Sequence, residues 1–201
     1  MWDQGFKKEF KDQGVTLTAQ PCRDVFAALR AGMKPGAKPP RIAVHMACYG
    51  YPPRNEADLV KAYVARGGIF AYASDIETDF ITRYNPSLGW KNNGYFRTTS
   101  TITPRGKEIL SLKEVAASFS AKSVWLKDVP AHQALYSTSE NSQHQSLAMQ
   151  MQGETTVGPG LCSVAVDDRR GQGEGVFVYI GDVNGEPDSV AVMAGVVKYA
   201  V

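Results

Sequence analysis

The stretch Gly67-Gly68-Ile69-Phe70-Ala71-Tyr72-Ala73-Ser74-Asp75 decides how this chain is read. Upstream of it, Asn55 is placed to cap a helix whose first turn carries Glu56 and Asp58, where negative charge suits the helix dipole. The apolar face of that helix is Leu59, Val60, Tyr63 and Val64, and the glycine pair ends it. Residues 69–73 then form a short apolar run of the buried-strand type, which stops at two small polar residues. In an α/β protein such a strand tip delivers side chains to a ligand crevice.

Working outward, residues 41–47 read as another buried strand, ending at Cys48-Tyr49-Gly50. Further upstream, Trp2, Phe6 and Phe10 recur at helical spacing, residues 15–18 alternate as a strand, and residues 24–30 place Val25, Phe26 and Leu29 on one helical face. Residues 15–75 therefore read β-α-β-α-β with short connections, which predicts a parallel sheet with helices on its faces. Downstream, residues 77–84 read as a helix, 85–94 as loop and 95–103 as a strand in part. The box Ser111-Leu112-Lys113-Glu114 predicts a helix to about Phe119, followed by a strand at 123–126. Residues 137–160 are polar and suggest no defined element. Two apolar runs, 162–166 and 175–180, bracket a charged turn and predict a β-hairpin. Pro187 suits a first helical position, and Val190, Met193, Val196, Val197 and Ala200 give a last helix that must pack deep.

The totals set outer bounds. A chain of 201 residues, 43% apolar and 21% charged, is long enough for one globular domain with a real core, and residues 1–201 are read as that one domain. A net charge of +2, evenly spread, argues against nucleic acid or an anionic membrane as partner. Cys22, Cys48 and Cys162 are odd in number and far apart, which argues against a disulfide framework or zinc ribbon and for a reducing, cytoplasmic setting. The first residues carry no apolar core of a secretory signal, and no run approaches the ~18 apolar residues of a membrane span.

The order of elements resembles the class I glutamine amidotransferase-like superfamily, including its ThuA-like branch. The resemblance rests on a strand ending in Cys48-Tyr49-Gly50, a helix ending in Gly67-Gly68, a strand tip at Ala73-Ser74, a variable middle, a hairpin, a second strand tip and an apolar last helix. It implies a flavodoxin-like three-layer α/β sandwich with a mostly parallel sheet and a β-hairpin before the last strand. That family opens on a central strand before its first helix. This chain opens on the helix, so the first central strand is expected to be missing or supplied upstream. In active members the strand after the Gly-Gly helix carries Gly-x-Cys-x-Gly. The matching stretch, Ala71-Tyr72-Ala73-Ser74-Asp75, has no cysteine and neither glycine. The late strand of active members ends in His-x-Glu, whereas Gly181-Asp182-Val183-Asn184-Gly185-Glu186 has no histidine. The resemblance thus implies the fold without the amidase triad.

Two polar tips, Ser74-Asp75 and Asp182-Asn184-Glu186, are expected to converge on one crevice as ligand contacts, although capping of the following helices explains part of each pattern. Arg97 is the candidate for holding an anionic group bidentately. Asp75, Asp182 and Glu186 are hard oxygen ligands, but no spacing rule makes them a metal site, so neither metal nor cofactor is expected. Ser74 and Cys48 are the weak nucleophile candidates. His45 lies three residues before Cys48, which in a strand puts the two on opposite faces. The reading that follows is a non-catalytic domain binding a small molecule or a protein partner at the strand ends. A hydrolase using Ser74 or Cys48, and an interaction domain without a small-molecule site, are the alternatives.

Overall fold

The computed structural model describes residues 22–46, 56–73, 76–153 and 155–201. In chain order these form α1 (Cys22–Gly32), β1 (Ile42–Met46), α2 (Glu56–Val64), β2 (Ile69–Ala73), α3 (Thr78–Tyr84), β3 (Lys91–Ile102), α4 (Pro104–Ile109), β4 (Ser118–Lys127), β5 (Ala134–Ser137), α5 (Leu147–Met151), β6 (Cys162–Asp168), β7 (Val176–Ile180) and α6 (Pro187–Ala200). The expected helix around Phe6, the strand at 15–18, any missing first strand, and Cys48, Ser74 and Asp75 all lie outside the described residues.

β2 is the hinge of the architecture. It pairs in parallel with β1 on one side and with β7 on the other, Ala71 standing between Val44 and Val178. All five of its residues are buried, because both faces of the trio are covered. Successive side chains of a strand point to opposite faces. Ile69, Ala71, Ala73, Val176, Val178 and Ile180 accordingly join α6 in one apolar cluster. Phe70, Tyr72, Phe177 and Tyr179 join α1, α2 and α3 in another. The Gly67-Gly68 pair is required on two counts. Gly67 has φ +85°, the left-handed region that glycine enters freely, and a Cβ on Gly68 would overlap the Tyr63 ring.

The rest of the sheet overturns the expected flavodoxin-like sandwich. β7 pairs antiparallel with β6 through the charged turn at 169–175, forming the hairpin read from its two apolar runs. Beyond it every pairing is antiparallel. β6 meets β4, β4 meets β3, β3 meets β5, and β5 returns to β6, so four strands close on themselves as a small barrel. Ile102, Phe119, Ala121, Leu135, Tyr136, Val164 and Val166 carry the α6 cluster into that barrel. The sheet is mostly antiparallel, with a parallel trio at one side.

Local corrections follow the same line. Strand β3 begins at Lys91, inside the expected loop, and runs for 12 residues. The Ser111 box makes a turn and not a helix. The Ser111 carbonyl accepts the Glu114 and Val115 N–H groups, and from Ser118 the chain follows the period-2 burial of β4, with Phe119, Ala121 and Ser123 inward. The one-turn helix α4 precedes that box, capped by the Thr103 hydroxyl, which accepts the Gly106 N–H at 3.0 Å. The polar 137–160 stretch contains β5's end and α5, and it lies along β3. The Thr98 hydroxyl donates to the Gln143 carbonyl, and the Gln145 N–H donates to the Arg97 carbonyl.

Candidate functional site

Where β7 ends, the chain crosses onto the barrel. The Val124 N–H donates to the Gly181 carbonyl at 2.9 Å and the Val183 N–H donates to the Lys122 carbonyl at 3.1 Å, which sets Asp182 opposite Ser123 in an antiparallel bridge. A Cβ on Gly181 would overlap the Val124 carbonyl, so only glycine permits this approach. Ala73, the last described residue of β2, stands beside Ile180, two residues before Asp182.

Asp182 is 1% exposed. Its Oδ1 accepts the Asn184 N–H and its Oδ2 the Glu186 N–H, both at 2.9 Å. One carboxyl thereby folds the connection into a loop that turns at Gly185 and enters α6 through Pro187. Glu186 faces the other way. Its Oε1 accepts from Arg97 Nη2 at 2.6 Å and from Asn184 Nδ2 at 3.2 Å. Arg97 stands on β3 beside Lys122 of β4, so the ion pair ties the start of α6 to the barrel. Arg97 also reaches the Ser120 hydroxyl, which donates to Gln145.

Charge in this cluster is unevenly shared. Burial, with the neighbouring Glu186 carboxyl as a further cause, pushes Asp182 up to about 7. Burial also works against charge on Glu186, but hydrogen bonds from Asp182, Arg97 and Asn184 outweigh it and hold that carboxyl below the ordinary glutamate range. Ser123 and Ser189 lie at the same place, both fully buried. The Ser189 hydroxyl faces Asp182 and favours its charged form, yet neither serine Oγ meets a hydrogen-bond partner in good geometry. Neither serine was singled out from sequence. The legible signals were a polar residue at an inward position of alternating β4 and a serine in the first turn after Pro187.

Of the residues expected at the crevice, the structure brings together Asp182, Asn184, Glu186 and Arg97; Ser74, Asp75 and Cys48 fall outside the described residues. The histidines stand elsewhere. His45 is buried between the rings of Phe26 and Tyr72, and burial lowers its pKa to about 4. His144 packs edge-on against Phe96, and His132 is exposed. The Cys162 thiol is buried and pushed up to about 12 by that burial, so it is no thiolate at neutral pH. Among the described residues, no three His, Cys, Asp or Glu side chains could jointly hold a metal ion, and no helix is long and apolar enough to cross a membrane.

No family model matches the chain, and no curated protein does. Among solved structures, one described as "mmIFT52 N-terminal domain" matches with a TM-score of 0.55 at 12% identity, over 97% of this chain and 89% of that one. The likeness is one of fold. It leaves the resemblance to the glutamine amidotransferase-like superfamily without support: no family model carries it, and the closed antiparallel barrel departs from the parallel flavodoxin-like sheet it implied.

Proposed function

We propose that the chain is a non-catalytic interaction domain whose partner is a protein. The observation that carries this reading is the engagement of the polar strand tip with itself. Both Asp182 oxygens accept loop N–H groups and Glu186 Oε1 accepts from Arg97, so these side chains fasten α6 to the barrel and are not held ready for a substrate. A hydrolytic nucleophile needs an adjacent base. Cys162 is held as a buried thiol, and His45 is enclosed by aromatic rings. On the surface, Leu147 and Met151 are 71% and 80% exposed, one helical turn apart on α5, which suits a contact surface better than a solvated face. The solved domain of like fold is by its description the N-terminal part of a larger protein, and a module within a longer chain fits the same use.

The test has two arms. The purified chain is screened for turnover of glutamine, carboxylic esters and amides, and a photo-crosslinking residue at position 151 is activated in the native cells. The reading expects no turnover above buffer and a discrete protein adduct from position 151. Turnover abolished by Asp182→Asn would overturn it, as would the absence of any adduct.

A further inference from the structure

Asp182, buried, and Glu186, partly buried, form a pair of carboxyls with one cation, Arg97, bonded on the Glu186 side, and the hydrogen-bond inventory of the pair is incomplete. Glu186 Oε1 is filled by Arg97 and Asn184, but Glu186 Oε2 is buried and accepts from no donor of the described chain. The two carboxyls are set side by side in one loop: Asn184 donates its N–H to Asp182 Oδ1 and its Nδ2 to Glu186 Oε1, and the Glu186 N–H donates to Asp182 Oδ2. The Asp182 oxygens each accept one backbone N–H, which leaves either free to carry a hydrogen as well. A buried acceptor left unpaired is costly, and two close carboxylates do not both ionise readily. A proton on Asp182, donated to Glu186, resolves both problems.

We propose that Asp182 and Glu186 share a single proton and that this proton latches the start of α6 onto the β3–β4 ribbon. The inference goes beyond the interaction-domain reading and does not depend on it. Among the described residues, the groups around Asp182 bear it out. Its own loop presents Glu186, β4 presents Ser123, α6 presents Ser189, and β3 supplies Arg97 through Glu186. Lys122 of β4 turns its ammonium to the Tyr95 ring, and Asp188 of α6 acts on Tyr136. Arg97 is therefore the one guanidinium set against two carboxyls, and the proton is the second positive charge. When the loop opens to water, Asp182 returns towards its ordinary acidity and releases the proton. Opening is then favoured as pH rises from about 4 to about 7 and levels off above that.

The experiment is amide hydrogen exchange on the full chain from pH 5 to pH 7.5, read as protection factors. The Val124, Val183, Asn184 and Glu186 amides are expected to lose protection by on the order of tenfold per pH unit up to about pH 7, relative to the Phe177 and Val178 amides of β7. Asp182→Asn is expected to remove that dependence, and Glu186→Gln to shift it to lower pH. Flat wild-type protection factors, or an undiminished fall in Asp182→Asn, would overturn the proposal. If Asp182→Asn does not fold, the carboxyl ¹³C shift of Asp182 in the wild-type chain decides: a midpoint near 7 supports the latch, and one near 4 refutes it.

Discussion

Arg97 of β3 and Glu186 at the start of α6 are 89 residues apart in sequence and joined by a hydrogen-bonded ion pair of 2.6 Å, a charged link between the barrel and the last helix. Both side chains are about a quarter to a third exposed, at 32% and 22%. The pair lies between a surface salt bridge, worth little, and a buried one, costly to break on one side. Replacing Arg97 with Met should lower the unfolding free energy by about 1–3 kcal/mol. Urea denaturation monitored by tryptophan fluorescence would measure it. An unchanged midpoint would mean that Glu186 is satisfied without Arg97.

Glycine packing at the β2–β7 seam gives a second expectation. A Cβ on Gly175 would overlap the Gly68 carbonyl, and one on Gly68 would overlap the Tyr63 ring. Neither obstacle is a flexible chain end, so a Cβ on Gly175 would push apart the approaches to β2 and β7, and one on Gly68 would push the buried Tyr63 ring and its helix α2 off β2. Gly175→Ala and Gly68→Ala should each cost on the order of 3 kcal/mol, whereas Gly171→Ala, in the exposed turn with open space around it, should stay within about 0.5 kcal/mol. Thermal midpoints of the three variants would show the contrast.

The contrast also shows what was legible. β1, β2 and β7 are short apolar runs, two of them next to glycines, and such runs state their burial outright. The barrel strands do not. β3 reads Lys-Asn-Asn-Gly-Tyr-Phe-Arg-Thr-Thr-Ser-Thr-Ile, and its inward Thr98 and Ser100 are buried only because Gln143 and Ser163 satisfy them from far along the chain. Extending the parallel trio to the whole sheet was the error, and no local pattern could have prevented it, since closure depends on four-residue β5 pairing with both β3 and β6. The polar tip was legible for a related reason. Asp182, Asn184 and Glu186 follow an apolar strand and precede a proline-started helix, a local signal. That Arg97 would answer Glu186 is a consequence of the barrel, and so was hidden with it.

Cys162 offers a chemical check on burial. Its thiol is fully buried, donates to the Val164 carbonyl, and is pushed up to about 12. Because the thiolate is the reactive form, alkylation by iodoacetamide at pH 8 should leave Cys162 unmodified in the native protein and modify it fully in urea. Peptide mass spectrometry reads that site apart from the other two cysteines. Prompt native labelling of Cys162 would show that β6 opens far more readily than its place in the barrel suggests.

At the acidic end, Asp168 should mark the onset of unfolding. The Arg170 guanidinium beside it, with help from the Tyr199 hydroxyl, holds its carboxyl down at about 2. A depressed carboxylate stabilises the fold above its unfolded pKa, and that contribution is lost as pH falls through the folded value. Stability should therefore drop between pH 4 and pH 2, and Arg170→Gln should shallow that drop while lowering stability at pH 5. Equal slopes in the two proteins would rule out Asp168 as the group responsible.

Between pH 4 and pH 7 two buried groups act in opposite directions. His45 is lowered from 6.5 to about 4, so the unfolded chain binds the proton first, and stability contributed by neutral His45 falls as pH drops through that window. Asp182 is raised from 3.8 to about 7, so the folded chain binds the proton first, and its contribution falls as pH rises through nearly the same window. Each changes proton uptake by up to one, with opposite sign, and the two slopes largely cancel. The wild-type unfolding free energy should therefore be nearly flat from about pH 4.5 to 6.5. Removing either group exposes the other. His45→Phe, which keeps an aromatic ring between Phe26 and Tyr72, should give stability that declines with rising pH. Asp182→Asn should give stability that increases with it. Slopes of up to about 1.4 kcal/mol per pH unit are available from one proton. Urea midpoints at half-unit steps of pH in the three proteins test this directly, and slopes of the same sign in both variants would show that the balance lies elsewhere in the chain.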